Sequence, residues 1–233
     1  MKLSIERSAL LKAVSQAQSV VERRNTIPIL ANVLIEAERE HVLFRATDLD
    51  IEVLDKAVAQ IEQTGATTVS ATTLHEIVRK LPEGSLVTLN NNPTKGRLTV
   101  EAGRSIFSLA TLPKEDFPVM ANSEYAVNFS APATLLRRLF DKSKFAISTE
   151  ETRYYLNGVY MHSADSEGGQ VLRCVATDGH RLASVEADVP TGASDLPGVI
   201  VPRKTVGELR KLLDNDDVQI AVSVSETKVR FAT

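Results

Sequence analysis

A short run of the chain, Thr177 to Leu182, holds side chains that a hydrolase could use. His180 could act as a general base, Asp178 could orient it, and Ser184 just beyond the run could be the nucleophile. The sequence has no nucleophile elbow and no glycine-rich phosphate loop, and a catalytic triad is rarely assembled from neighbours in sequence. Asp178-Gly179 is also a common hairpin-turn signal. A turn is therefore the favoured interpretation, and a small hydrolase that uses His180 is an alternative.

Three carboxylates in the first half of the chain raise the question of a metal site. Asp48, Asp50 and Glu52 alternate, so they could share one face of a strand and hold Mg²⁺. No other ligands converge on them in sequence, which favours an ordinary solvated strand face. No metal-ligand spacing is found among the histidines His41, His75 and His162. We expect neither a metal ion nor a cofactor.

The segments that carry these residues belong to an internal repeat. Ala46-Thr47-Asp48 recurs as Ala176-Thr177-Asp178, 130 residues later, and Val69 recurs as Val201, 132 residues later. A period this long indicates a duplicated domain, because solenoid repeats have periods of about 20 to 50 residues. We expect module one at residues 1–120, module two at residues 125–233, and a linker near Phe117 to Glu124.

Each module is predicted to combine two amphipathic helices with roughly six to eight strands. The helical periodicity covers Ser8 to Arg24, Thr72 to Leu81, Pro132 to Lys144 and Arg203 to Leu213. Ser70 to Thr73 should cap the second helix, and extended runs such as Pro28 to Glu36 and Ile51 to Ile61 should be strands. This pattern predicts an α+β fold, in which the helices of each module pack on one face of antiparallel sheet.

The composition is typical of a globular protein of the cytoplasm. Hydrophobic residues make up 43% and charged residues 24% of the chain. No apolar run approaches the roughly 18 residues of a membrane span, and the first residues lack the apolar core of a signal peptide. Cys174 is the only cysteine, which excludes an intrachain disulfide, and its apolar surroundings are typical of a small buried side chain.

The distribution of charge favours a polyanionic partner although the net charge is −3. The four predicted helices contain 13 of the 27 Lys and Arg but only 4 of the 30 Asp and Glu. Cations at a helix C-terminus complement the helix dipole, which accounts for Arg79-Lys80 and Arg210-Lys211. It does not account for three other pairs, Arg23-Arg24, Arg137-Arg138 and Arg203-Lys204. Basic helices in an otherwise acidic chain predict DNA binding, and a scaffold that does not bind DNA is the alternative.

Motifs along the whole chain resemble one known family. They are Thr26 to Asn32, Gly65 to Val69, Leu81 to Gly84, Arg153 to Gly158, Ala176 to Ala183 and Val201 to Lys204. Together and in this order they resemble the bacterial DNA sliding clamp, the beta subunit of DNA polymerase III. That family has three modules per chain, and two chains close a ring around duplex DNA. The sequence matches modules one and two but lacks the end of module two and all of module three, so we do not expect this chain alone to close a ring.

The resemblance implies a non-catalytic processivity factor of DNA replication in the cytoplasm, with no membrane partner. Such a clamp binds duplex DNA without reading its sequence. It tethers the replicative polymerase and the clamp loader through a peptide-binding cleft, half of which belongs to the absent module three. Homodimers form through that third module. Encirclement retains the clamp on DNA, and contacts to phosphates that are individually weak allow it to slide.

The resemblance and the charge pattern together give the candidate site residues. The expected DNA surface is Arg23, Arg24, Arg79, Lys80, Arg137, Arg138, Lys142, Tyr154, Arg203, Lys204, Arg210 and Lys211; of these, the resemblance places Arg24, Tyr154, Arg203 and Lys204 near DNA. The expected half of the peptide cleft is Leu156, Thr177, Gly179, His180, Arg181 and Leu182. The expected subunit interface is Phe107 and Leu109, which should be partly exposed on an edge strand.

Overall fold

The computed structural model describes residues 1–21, 26–120 and 124–233, and the chain divides into two units. The first unit is Met1–Met120 and the second runs from residue 121 to Thr233. They are called module one and module two below. Among the described residues, no helix is long and apolar enough to span a membrane.

Two α-helices in each module bury an apolar stripe. They are α1 (Arg7–Val20), α2 (Ala71–Lys80), α3 (Ala133–Ser143) and α4 (Arg203–Leu212). In α3 the buried side chains include Leu136, Leu139 and Phe140, which follow helical spacing. Ser70 caps α2 as predicted, since its Oγ accepts a hydrogen bond from the Thr73 N–H at 3.3 Å.

The described residues of module one form nine strands in one antiparallel sheet. They are β1 (Lys2–Glu6), β2 (Asn32–Ala37), β3 (His41–Thr47), β4 (Glu52–Val58), β5 (Gln60–Gln63), β6 (Gly65–Ser70), β7 (Leu86–Asn92), β8 (Arg97–Ala102) and β9 (Ser105–Leu112). Their order is β4-β3-β2-β6-β9-β8-β7-β1-β5. Within the described residues, β6 and β9 pair only where Thr68 faces Leu112 and Val69 faces Thr111. The two parts of the sheet are therefore joined by a short stretch of pairing.

Two predicted strands of module one differ from the observed elements. Pro28–Ala31 forms a turn of 3₁₀ helix, and the strand starts only at Asn32, because proline fixes φ and has no N–H to donate to a ladder. The run Ile51 to Ile61 is interrupted at Ala59. Its first part pairs with β3 and its second with β1, which gives nine strands where roughly six to eight were predicted.

Module two repeats this plan with seven strands in two antiparallel sheets. They are β10 (Val127–Pro132), β11 (Gly158–Ser166), β12 (Gly169–Thr177), β13 (Leu182–Asp188), β14 (Val199–Pro202), β15 (Gln219–Val224) and β16 (Val229–Ala232). The sheets run β13-β12-β11-β14 and β10-β15-β16. The first corresponds to β4-β3-β2-β6, and β10, β15 and β16 correspond to β1, β7 and β8. The predicted α+β fold is confirmed.

An arginine near the first helix of each module caps the end of the second. Arg7 donates from Nε to the Val78 carbonyl at 3.2 Å and from Nη2 to the Arg79 carbonyl at 2.8 Å. Arg137 in α3 donates from Nη1 to the Leu213 carbonyl at 3.2 Å. The last carbonyls of a helix lack partners within it and carry partial negative charge, so a guanidinium there satisfies both needs.

Phe117 was predicted to lie in the linker but is buried against module one. It is 5% exposed and packs with Ile29, Leu30 and Leu34 in a cluster of its own. A phenylalanine buries a large apolar area, which favours docking over exposure in a linker. Residues 121–123 lie outside the described residues.

Cys174 is buried in β12, as its apolar surroundings predicted. Burial disfavours the thiolate and raises the pKa of the thiol to about 12. The thiol therefore stays protonated at neutral pH and is a small apolar part of the core.

We expect Leu136→Ala to lower the free energy of unfolding of module two by about 2–5 kcal/mol, because the side chain is fully buried and its loss leaves a cavity. Leu182→Ala, at a side chain that is 66% exposed, should change it by less than about 0.5 kcal/mol. Urea unfolding followed by circular dichroism measures both values. Equal losses would show that the core of module two is not where α3 meets the sheet.

Candidate functional site

The turn between β12 and β13 is held by the carboxylate of Asp178. Its Oδ1 accepts the backbone N–H groups of His180 and Arg181, both at 3.0 Å, and its Oδ2 accepts Nε of Arg181 at 2.9 Å. The N–H of His180, followed by that of Arg181, lowers the pKa of the Asp178 carboxyl below its usual value. Because both oxygens stabilise the turn, Asp178 does not orient the His180 imidazole as the hydrolase alternative requires.

Module one forms the same turn between β3 and β4. Asp48 Oδ1 accepts the backbone N–H groups of Asp50 at 3.0 Å and Ile51 at 2.8 Å. Leu49 has a φ of 84°, close to the 89° of Gly179 at the equivalent position in module two. Asp48 therefore has a structural role in the turn. Among the described residues, no group of three His, Cys, Asp or Glu side chains could hold a metal ion.

A small apolar groove lies next to the Asp178 turn. Leu156 and Thr177 line a cavity of about 80 Å³. The other lining residues are Tyr155, Gly158, Tyr160, Val175 and Ala176. Leu182 faces Thr177 across the β12–β13 pair and is 66% exposed. The structure therefore brings Leu156, Thr177 and Leu182 to one place, with Gly179, His180 and Arg181 in the adjoining turn.

Sequence reasoning missed the aromatic side chain that forms a wall of this groove. Tyr160 faces Val175 across the β11–β12 pair, and Val175 shares a strand face with Thr177. The tyrosine ring stacks on His162 with 4.5 Å between ring centroids and also lies over Gly198. A Cβ at position 198 would be 1.9 Å from the tyrosine hydroxyl, so any larger residue there would displace the ring. The alternation of β11 and β12 could have indicated Tyr160 and Val175, but not Gly198.

A second, polar cleft surrounds the start of α4. Arg203 and Lys204 line an open volume of about 590 Å³ together with Ser148, Thr149, Asn157, Gly207 and Glu208. Arg203 donates to the carbonyl of Ile147 at 3.5 Å. Tyr154 is 79% exposed and its ring meets that of Tyr155 edge to face, with 5.6 Å between centroids. Two cations beside hydroxyl groups can bind phosphate oxygens, and an exposed ring can stack on a base or sugar.

The other basic residues differ in how their charge is used. Lys80 and Lys142 are exposed. Surface ion pairs join Arg79 to Glu76 at 2.9 Å, Arg210 to Asp141 at 3.2 Å and Lys211 to Glu208 at 2.8 Å. Such pairs contribute little and are easily exchanged for a phosphate. Arg138 donates to the carbonyl of Glu186 at 2.6 Å.

Arg137, one of the predicted DNA contacts, is hydrogen-bonded within module two. Arg137 has a side chain that is 23% exposed, and it binds the Leu213 carbonyl and Asp216. The structure therefore gives Arg137 a helix-capping role that the sequence did not indicate. Arg23 and Arg24 lie outside the described residues.

The predicted interface residues of β9 have different exposures. Phe107 is 37% exposed, as expected, but Leu109 is 7% exposed and packs in the core of module one. Both side chains lie on the face of β9 that packs against the core. That face is exposed to solvent near Phe107 and buried at Leu109. Ile106 on the opposite face is 68% exposed, and the sequence prediction missed it. Apart from Thr111 and Leu112, β9 pairs along one side only, with β8.

The chain matches two family models in order along its length. The model of the DNA polymerase III beta subunit, N-terminal domain, matches residues 1–121, and that of the central domain matches residues 131–233. The beta sliding clamp of Caulobacter vibrioides is 54% identical over 231 residues, which is 99% of this chain and 62% of that protein. The chain thus spans somewhat less than two thirds of this relative.

Solved structures show the same likeness. The structure of Caulobacter crescentus pol III beta has a TM-score of 0.95 at 54% identity, covering 99% of this chain and 63% of that one. A sliding clamp from Bartonella birtlesii bound to griselimycin has a TM-score of 0.95 at 47% identity, covering 100% of this chain and 62% of that one.

Gly179→Ala should destabilise module two by roughly 1–2 kcal/mol, because a residue with a Cβ is strained at a φ of 89°. Gly168→Ala is the matched control. No atom lies within 4 Å of a Cβ added there and its φ is not left-handed, so the substitution should be neutral or stabilise by up to about 1 kcal/mol. Urea unfolding gives the free energy of unfolding of both variants. A Gly179→Ala protein as stable as the unchanged chain would contradict the turn geometry.

Proposed function

The chain belongs to the DNA polymerase III beta-subunit family, the bacterial sliding clamps, and on that premise we propose that it is the N-terminal and central part of a ring that encircles duplex DNA. In this role it is a cytoplasmic processivity factor without catalytic activity. The observation that carries the proposal is the match of both family domains, in order, to a duplicated module whose helices concentrate the positive charge.

The DNA-binding surface of the proposal centres on the helices and the cleft at the start of α4. Arg203, Lys204 and Tyr154 supply cations and an exposed ring, and Arg79, Lys80 and Lys142 add exposed charge. Contacts from such residues to phosphates do not depend on base sequence, as sliding requires. Arg23 and Arg24 remain candidates for the same surface.

The partner-binding surface of the proposal is the groove of module two. An extended peptide from the replicative polymerase or the clamp loader would place an apolar side chain against Leu156, Tyr160 and Leu182, next to the rigid Asp178 turn. Docking of a few apolar side chains into such a groove needs little area and few hydrogen bonds. The rigid turn limits the conformational entropy lost on binding.

The subunit interface of the proposal is the outer edge of β9. Phe107 and Ile106 expose apolar surface there, and the backbone groups of the strand are unpaired on that side over most of its length. An unpaired edge with apolar side chains is a template for a strand of another subunit. In the full-length clamp that subunit would supply its third module, so that two chains close the ring.

We expect the chain to bind short linear duplex DNA weakly, without sequence preference, and with an affinity that falls steeply as salt rises. The double variant Arg203→Ala/Lys204→Ala should lose about one to two units of the slope of log K against log salt. Lys56→Ala/Lys95→Ala, which removes two exposed lysines from strands and turns of module one, should leave the slope unchanged. Fluorescence anisotropy of a labelled duplex over a salt series measures these slopes. A preference for one sequence at fixed salt, or equal losses in both double variants, would contradict the proposal.

Leu182→Asp should weaken binding of a fluorescent peptide that carries the clamp-docking segment of a replicative polymerase by at least about tenfold, or ~1.4 kcal/mol. A charge in the groove would be desolvated by the peptide without a partner. Val58→Asp, at an 85% exposed apolar residue of β4, is the control and should not change the affinity. If Leu182→Asp binds as tightly as the unchanged chain, the partner site lies elsewhere.

A further inference from the structure

The residues that form the groove of module two have equivalents in module one, which we call the copy of the groove. Thr47 faces Glu52 across the β3–β4 pair in the same way that Thr177 faces Leu182 across the β12–β13 pair. Leu34 on β2 faces Thr68 on β6, and Tyr160 on β11 faces Ile200 on β14. The Asp48 turn closes the end of the first pair as the Asp178 turn closes the second.

The floor of this copy is covered by the chain itself. Phe117 packs on Ile29, Leu30 and Leu34, with Ala66 of β6 at the edge. The backbone N–H of Met120 donates to Glu52 Oε2 at 3.3 Å, so the segment is held at two points. A turn of 3₁₀ helix, Lys114–Asp116, precedes the anchor residue. Grooves hold short peptides in a similar way, with side chains in pockets and hydrogen bonds to the peptide backbone.

Equivalent residues of the two modules differ sharply in exposure. Leu34 is 3% exposed and its counterpart Tyr160 is 42% exposed. Glu52 is half-buried, whereas Leu182 at the same position is exposed. The copy in module one is therefore closed.

The chemistry of the closed copy also differs from that of the open groove. Arg45 stands where module two has Val175, and its guanidinium pairs with Glu52 at 2.7 Å. A salt bridge thus lies in the closed copy, where module two has the apolar side chains of Val175 and Leu182.

We infer that residues Lys114–Met120 are a built-in ligand of module one, and that they occupy a second groove for short peptides with an aromatic or aliphatic anchor. The inference rests on the proposed function, since that function makes the open groove of module two a peptide site. Attachment gives the built-in segment an effective concentration in the millimolar range, which suffices to exclude weak competitors.

The test opens the closed groove and supplies its ligand from solution. The protein is the 233-residue chain with Phe117→Ala, and the probe is a synthetic peptide with the sequence of Lys114–Met120. Methyl NMR signals of Leu30 and Leu34 report the groove of module one, and those of Leu156 and Leu182 report module two. In the variant, the peptide should shift the Leu30 and Leu34 signals saturably, at least tenfold more tightly than in the unchanged chain. Leu30 and Leu34 signals that stay still in the variant would overturn the inference.

Three controls make each outcome informative. Phe117→Leu keeps an apolar anchor in place and should bind the probe no better than the unchanged chain, so tight binding by this variant would count against the inference. A probe with Ala in place of the phenylalanine should not bind, and equal binding would likewise overturn the inference. If Phe117→Ala loses the dispersed spectrum of a folded module one, Phe117→Val is measured in its place under the same criteria.

The two proposals fail in distinguishable ways. If a polymerase docking peptide leaves the Leu156 and Leu182 signals unchanged while the probe shifts those of Leu30 and Leu34 in Phe117→Ala, the partner role of module two fails and the closed groove stands as a peptide site. If only the module-two signals respond, the partner role stands and the built-in ligand is wrong.

Discussion

The burial of one apolar stripe from each helix against antiparallel sheet is the constraint on which the other features depend. Leu136, Leu139 and Phe140 of α3 are fully or almost fully buried, as are Leu74 and Val78 of α2. Once those faces are buried, the charged residues between them must face outward. The same packing orders the strands, whose outer faces then carry the groove. In the proposed function, charge for DNA and apolar surface for partners thus lie on different elements of one module.

Duplication allowed the two modules to diverge on a common scaffold. The Asp48 and Asp178 turns use the same hydrogen bonds, and the arginine caps on α2 and α4 solve the same problem from different positions in the repeat. One divergence lies on the groove face, where module one has Glu52 and module two has Leu182. Such an exchange is tolerated because neither side chain belongs to the buried core.

The sequence predicted what short-range physics determines. Helical periodicity located all four helices to within a few residues at the described ends, and the Asp-Gly signal located the turn at Asp178. It could not predict contacts between residues distant in the chain. Nothing local to Arg137 indicates the Leu213 carbonyl, and nothing local to Phe117 indicates a pocket formed by Leu30 and Leu34. The burial of Leu109 likewise depends on how β9 meets the rest of the sheet.

We propose that the helices contact DNA and that the outer strand faces contact partners. Backbone and side-chain NMR signals, recorded while a short duplex is added at low salt, distinguish the two surfaces. We expect shifts for Arg203, Lys204, the exposed faces of α2 and α4, and Tyr154, while the outer-face residues Tyr160 and Leu182 stay unchanged. Shifts centred on Tyr160 and Leu182, with the helices silent, would contradict it.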